Sequence, residues 1–176
     1  MSSHRRPRHA QRPSAPRPVE GPPVEVTIAG VGGEGDGIAD GAARLFAPFI
    51  LPGERVLLSG SGDRRELVEV LSASPDRVQP PCRHFGDCGG CALQHWAHEP
   101  YLAWKVERLR RTLALQHLET EILAPVAAQP GQRRRIALHA RKGAADAARV
   151  GFKARKSWSV VEIAECPIAE PALQSA

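Results

Sequence analysis

The order of apolar and polar positions divides the chain into unlike stretches. Residues 1–23 hold six prolines and five arginines and almost nothing apolar. Such a segment cannot bury enough surface to offset the entropy of ordering, so it reads as a disordered basic arm. From Val24 the pattern becomes short and alternating. Val24-Glu25-Val26-Thr27-Ile28 has period two, and residues 55–58 and 66–71 are further strand candidates. Turn residues at Pro52-Gly53 and across 59–63 separate them. Short strands at this spacing, with no helical pattern between them, predict a small β-barrel over residues 24–79.

A different period follows. Pro100 stands where a first helical position would be. Leu102, Val106, Leu109 and Leu113 then recur at i, i+4, i+7 and i+11, which predicts an amphipathic helix of about four turns. Its other side carries Lys105, Arg108, Arg110 and Arg111. Beyond Pro130-Gly131 the pattern predicts strands over residues 134–140, 149–153 and 158–163, with a turn at 143–147. The fold class expected is mostly β with an α+β second part. A barrel comes first, then a cysteine-rich loop over residues 80–99, then one helix and a partial antiparallel sheet over 100–176.

Gly30, Gly32 and Gly35 spell G-x-G-x-x-G directly after a strand, a pattern used in nucleotide loops. That motif works only when a helix follows and offers its N-terminal amides. Here Asp36-Gly37, Asp40-Gly41 and Pro48 follow, which read as turns and a hairpin.

Charge adds a second division. The net charge is +5, and residues 1–19 contain five arginines and no carboxylate. Residues 20–99 hold 6 basic and 12 acidic side chains, whereas residues 100–176 hold 13 basic and 7 acidic. Attraction to a polyanion therefore resides in the arm and the C-terminal half. No apolar run approaches the roughly 18 residues of a membrane span. The arm has no hydrophobic segment of a secretory signal, which points to a cytoplasmic, reducing compartment.

The most specific chemistry is in the cysteines. Cys82, Cys88 and Cys91 are spaced C-x5-C-x2-C around Gly86, Gly89 and Gly90, and Cys166 stands far downstream before Pro167. Thiolates that share one centre must converge from a short loop, and glycine lets the backbone turn that tightly. Four cysteines suit a [4Fe–4S] cluster or zinc. Zinc sites usually come as paired C-x2-C knuckles, and only Cys88 and Cys91 form such a pair. The C-x5-C spacing and the isolated Cys-Pro favour iron–sulfur. Disulfides or plain buried thiols are the bland alternative.

Cys82-x5-Cys88-Gly-Gly-Cys91-x2-Gln94-His95, followed by Tyr101 and Lys105, resembles the iron–sulfur segment of S-adenosylmethionine-dependent RNA uracil-5-methyltransferases. Glu165-Cys166-Pro167-Ile168 matches the place where that family supplies its fourth ligand. Gly35-Asp36-Gly37-Ile38-Ala39 and Leu51-Pro52-Gly53-Glu54 resemble the TRAM domain, an OB-like RNA-binding barrel that precedes the cysteines in the family. The resemblance runs from about Val24 to the end. It implies a structural [4Fe–4S] cluster on Cys82, Cys88, Cys91 and Cys166, and ribosomal or transfer RNA as partner. His84 and His95 are then structural or RNA-facing.

In the family a cysteine attacks C6 of a flipped uracil, S-adenosylmethionine methylates C5, and a glutamate removes the C5 proton. No residue here matches those roles, and the chain ends ten residues after Cys166. The stretch is therefore expected to be the RNA-recognising part of such an enzyme and inactive alone, with S-adenosylmethionine held by a catalytic domain beyond it. Two other readings are a stand-alone iron–sulfur RNA-binding module, working with a separately encoded catalytic domain, and a zinc-stabilised barrel with a partner other than RNA. Candidate RNA contacts are Lys105, Arg108 and Arg111 on the helix, with Arg133, Arg134, Arg135, Lys153, Arg155 and Lys156 on or beside the sheet. Arg141, Lys142 and Trp158 lie close to the same strands.

Overall fold

The computed structural model describes residues 21–41, 43–142 and 148–174. Most of the basic arm and the turn expected at 143–147 lie outside the described residues. The mostly-β, α+β class is borne out. Strand β1 (Val24–Thr27) pairs antiparallel with β5 (Arg55–Ser59), and β5 pairs with β6 (Glu66–Ser72). A second antiparallel sheet orders β2 (Gly30–Val31), β3 (Gly37–Ala39) and β4 (Leu45–Ala47). The G-x-G-x-x-G run is the β2–β3 hairpin, closed by the Gly32 N–H donating to the Asp36 carbonyl at 2.8 Å. No helix follows it.

Both sheets bury one core, made of Ile28, Ala39, Ala47, Ile50, Val56 and Leu58. Period-two alternation explains the selection, since Val56 and Leu58 point inward from β5 while Arg55 points out. Gly37 is fixed by this packing, because a Cβ there would lie 2.3 Å from the Ile50 side chain.

A core of small aliphatics needs help from polar anchors, and Glu54 is the strongest of them. Its side chain is 0% exposed. The carboxylate accepts the Leu51 N–H at 2.8 Å and the Ser74 N–H at 3.2 Å. Arg77 closes on it with two bonds, at 2.5 and 2.7 Å, and reaches the Phe49 carbonyl at 2.8 Å. Burial raises the carboxyl pKa, but the Arg77 guanidinium and the two backbone donors overcome it and hold it below the usual range. Arg77 in turn precedes the Val78 N–H bond to the His95 carbonyl, so the barrel is tied to the end of the cysteine loop.

Helix α1 (His98–Leu115) begins two residues earlier than Pro100 suggests. Proline fits in the first turn because the N–H groups there have no helical acceptor. Tyr101 stacks on Trp104 at its start with Trp96 packed at an angle to both rings, and Trp104 Nε1 donates to the Val31 carbonyl at 3.1 Å. The predicted apolar stripe is only partly covered. Leu102, Val106 and Leu113 are half-buried, while Leu109 is 49% exposed.

The distal sheet runs β7 (His139–Lys142), β8 (Ala148–Lys153) and β9 (Val160–Glu162), all antiparallel. Two expectations shift here. The strand expected over 134–140 forms only from His139. Upstream, Arg133 is captured by the loop that carries Cys166, through the Arg133 N–H to Ile168 and the Glu170 N–H to Arg133, both 3.0 Å. The strand expected from Trp158 starts at Val160, because residues 154–159 form a turn with Lys156 in the left-handed region at φ 49°.

Acid should loosen the barrel in two stages. His95 is buried between the Phe49 and Phe85 rings, and neither of its ring nitrogens has a protein partner. Burial, reinforced by Arg77, lowers its pKa to about 4 against a weaker pull from Glu54. The folded state keeps it neutral, so its contribution is lost as pH falls from 6.5 towards about 4, where the unfolded chain alone takes the proton. Glu54, with a folded pKa below the unfolded one, loses its contribution at lower pH still. Urea midpoints against pH should show His95→Leu removing the first stage and leaving the second. Arg77→Met, which strands the buried Glu54 charge, should cost roughly 3 kcal/mol at neutral pH.

Candidate metal centre and nucleic-acid interface

The cysteine loop folds on itself through short local bonds. The Phe85 N–H donates to the Cys82 carbonyl at 3.1 Å and the Cys88 N–H to the His84 carbonyl at 2.9 Å. Gly86 turns the chain at φ 104°, a region that glycine enters freely. The Gly90 N–H points at Cys88 Sγ, 3.4 Å away, as amides do around anionic sulfur.

The loop is then tied to the distal sheet. The Gly89 N–H donates to the Lys153 carbonyl at 2.9 Å, and Cys88 bridges Ala154 in an antiparallel pair. His84 Nε2 accepts the Ala164 N–H at 3.0 Å, and Arg83 pairs with Glu165 at 3.1 Å. These contacts carry Cys166 back to the first three cysteines. Its own N–H is held by Gln174 Oε1 at 2.8 Å.

All four cysteines are half-buried free thiols, and all four rim one cavity of about 210 Å³. His84, Gln94, Ile136, Phe152 and Ile163 complete much of its lining. Burial pushes the Cys91 thiol pKa up, against a hydrogen bond with Gln94, and the charges of Cys88, Cys166 and Cys82 push it further. Four thiolates in such a place need a cationic centre to ionise together. The donor set and its apolar surroundings therefore fit a four-thiolate metal or cluster site. Among the described residues, no three His, Cys, Asp or Glu side chains close in as a single-ion site.

The basic candidates distribute over three settings. On α1, Lys105 lies 5.0 Å from the Tyr101 ring centre and Arg108 5.2 Å from that of Trp104, while Arg111 pairs with Glu107 at 2.9 Å. Arg133, Arg134 and Arg135 are exposed beside the Cys166 loop, with Arg133 Nε donating to the Arg135 carbonyl at 3.2 Å. Lys153 sits 3.6 Å from the ring centre of Trp158, which is 58% exposed. Arg155 and Lys156 reach across to the barrel and engage Asp36, Lys156 at 3.0 Å. Arg64 reaches the same carboxylate at 3.0 Å.

Sequence reading did not single out Asp36 and Glu54 as anchors, nor the stack of Tyr101 on Trp104. A signal existed. Both acids stand beside glycines in turns that carry the TRAM-like patterns, Asp36 just before Ile38-Ala39 and Glu54 between Ile50-Leu51 and Val56, where a solvated acid is out of place.

No family model matches the chain. Relatives are nevertheless clear. A protein of Caulobacter vibrioides named as an uncharacterized RNA methyltransferase is 54% identical over 156 residues, 86% of this chain and 37% of that protein. The 23S rRNA (uracil(1939)-C(5))-methyltransferase RlmD of Halomonas elongata is 40% identical over 161 residues, 86% of this chain and 33% of that protein. Over most of its length the chain is similar to part of each of these RNA methyltransferases. A Brucella suis member, likewise named an uncharacterized RNA methyltransferase, is 42% identical over 84% of this chain. The chain spans about a third of the length of the curated relatives it matches. The resemblance read from the cysteine and TRAM-like motifs is borne out at the level of the family. No helix among the described residues is long and apolar enough to cross a membrane.

The join between cysteine loop and sheet makes a direct prediction. A Cβ on Gly89 would lie 2.9 Å from the Lys153 carbonyl oxygen and 3.0 Å from the Arg155 backbone. Both obstacles are main chain, so Gly89→Ala should part the loop from β8 at a cost of about 1–3 kcal/mol. A lowered Tm with faster exchange of the amide at position 89 is the expected result.

Proposed function

We propose that this stretch is the RNA-recognising, cluster-bearing part of an RNA uracil-C5-methyltransferase, with a TRAM-like barrel over β1–β6. The observation that supports the cluster reading is that all four thiols line one cavity of about 210 Å³, while among the described residues no three His, Cys, Asp or Glu side chains close in on a single ion. A single zinc, with Zn–S near 2.3 Å, draws its sulfurs to within about 3.8 Å of one another. A [4Fe–4S] cube gives each thiolate its own iron and so needs a cavity between them. Cys82, Cys88, Cys91 and Cys166 would hold it, and its role would be to lock the loop to the distal sheet. No described residue is assigned a part in the methyl-transfer step.

The RNA reading is supported by the relatives' names and by the placement of basic and aromatic side chains. Lys153 over Trp158, beside the Arg155–Lys156 turn, offers a stacking face next to cations. Single-stranded RNA is bound by that combination. Ribosomal or transfer RNA is the substrate class in this reading, and S-adenosylmethionine is the methyl donor of the complete enzyme.

Anaerobic purification followed by iron and labile-sulfide assay tests the cluster. About four irons and four sulfides per chain are expected, with Cys166→Ser losing most of both. Zinc at one per chain would refute the cluster. The same Cys166→Ser protein should bind a fluorescent oligouridylate more weakly than wild type. Unchanged affinity after cluster loss would refute the role as a lock.

A further inference from the structure

A pocket of about 280 Å³ lies where the barrel meets the turn after β8, and it joins segments far apart in the chain. Arg64 and Arg65 enter it from just before β6, and Arg155 and Lys156 from the turn. Phe46 and Phe49 form its apolar wall. The four cations face two lining carboxylates, Asp36 and Glu66. Glu34 lies at the edge, 4.0 Å from Lys156.

Asp36 cannot neutralise what gathers on it. Its side chain is 6% exposed, and Arg64, Arg155 and Lys156 all converge on its two oxygens. Counting Glu66 and Glu34 with Asp36, four cations face three carboxylates, and a small positive excess remains in a concave site. The guanidinium groups are also held in place by rings. Arg64 lies 5.7 Å from the Phe46 ring centre and Arg155 5.5 Å from that of Phe49. Cations fixed before binding lose less freedom when an anion arrives.

Backbone conformation points to the same place. Three non-glycine residues among those described have positive φ, and two of them, Phe49 at 63° and Lys156 at 49°, line this pocket. Such conformations persist where the surroundings enforce them, and they concentrate at binding sites. Arg64 and Lys156 keep more than half of their side-chain surface exposed, so an anion can reach them without unpacking the junction.

We propose that this pocket binds a backbone phosphate of single-stranded RNA, so that one phosphodiester is gripped by barrel and turn together. The proposal rests on the RNA-binding reading above and names where one contact of that reading lies. A free phosphate ion would satisfy the same charges. The RNA backbone is favoured because the pocket is continuous with the Lys153–Trp158 face, which shares Arg155 and Lys156 with it.

The test compares intact wild-type protein with Lys156→Gln, Arg64→Gln and a control, Arg110→Gln, on the remote side of α1. Each is titrated with a fluorescent oligouridylate over a range of salt concentrations, with Tm measured in parallel. Loss of one phosphate contact should lower affinity roughly tenfold and reduce the slope of log K against log salt by about 0.7. That result is expected for Lys156→Gln and Arg64→Gln and not for Arg110→Gln. Wild-type affinity and slope in both pocket variants would overturn the proposal while leaving the RNA-binding reading intact. Weaker binding with an unchanged slope would also overturn it, since that marks a structural defect. No salt-dependent binding by wild type would remove the reading and the proposal together. Inorganic phosphate is the second probe. If it binds wild type but not the pocket variants, yet leaves oligouridylate affinity unchanged at constant ionic strength, the site belongs to the free ion and the RNA assignment fails. Should Lys156→Gln not fold, Arg64→Gln decides alone, because Arg64 lies on the solvent side of the junction.

Discussion

A carboxylate taken out of water must be met by donors or cations, and Asp36 is met by cations from both ends of the described chain. Arg64 belongs to the barrel, while Arg155 and Lys156 stand about 120 positions downstream, at the tip of a turn in the other sheet. Few apolar contacts could set that geometry, because the core between β1 and β6 is built from small aliphatics and ends at the barrel wall. The ion cluster therefore fixes where the distal sheet sits against the barrel. With the sheet goes everything mounted on it, including Ala154, which pairs with Cys88, and the strand that leads to Cys166. Removing one partner of such a group leaves charge stranded in a low-dielectric place, which is why it is held so firmly.

The cysteine loop inherits its position from both sides. Towards the barrel, the Arg77–Glu54 pair and the Val78 bond to His95 secure its C-terminal end. Towards the sheet, Gly89, His84 and Arg83 each make a contact with residues between Lys153 and Glu165. These hydrogen bonds and ion pairs bring all four thiols to the lining of one cavity.

Much of this was legible in the sequence. Period-two alternation located β1, β5 and β6, the i, i+4, i+7 pattern located α1, and the cysteine spacing marked the four thiols that share the cavity. The turn glycines after Ile28 correctly read as a hairpin because no helical pattern follows them. What stayed illegible has a common cause. Periodicity reports which face of an element is apolar, but not which partner it meets. The segment from Arg134 has the alternation of a strand, yet Arg133 is drawn to Ile168 and Glu170 by bonds that no local pattern announces. Leu109 completes a helical stripe on paper, and in the structure it lies half in solvent. Asp36 and Glu54 look like turn acids until the positions of Arg155, Lys156 and Arg77 are known.

The same long-range pairing changes how the basic residues should be counted. Thirteen lysines and arginines after residue 99 suggest a broad cationic face, but several are already engaged. Arg110 and Arg111 share Glu107, and Arg149 is paired with Glu162. Net charge therefore overstates what an RNA would meet on α1. At Asp36 three cations converge on one buried acid, and with Arg65, Glu66 and Glu34 counted a small positive surplus is still held in place there. Polyanion binding follows the local surplus of fixed positive charge more closely than the total. By that measure, the junction of barrel and turn, with Trp158 beside it, is better suited to an RNA strand than the arginine-rich helix is.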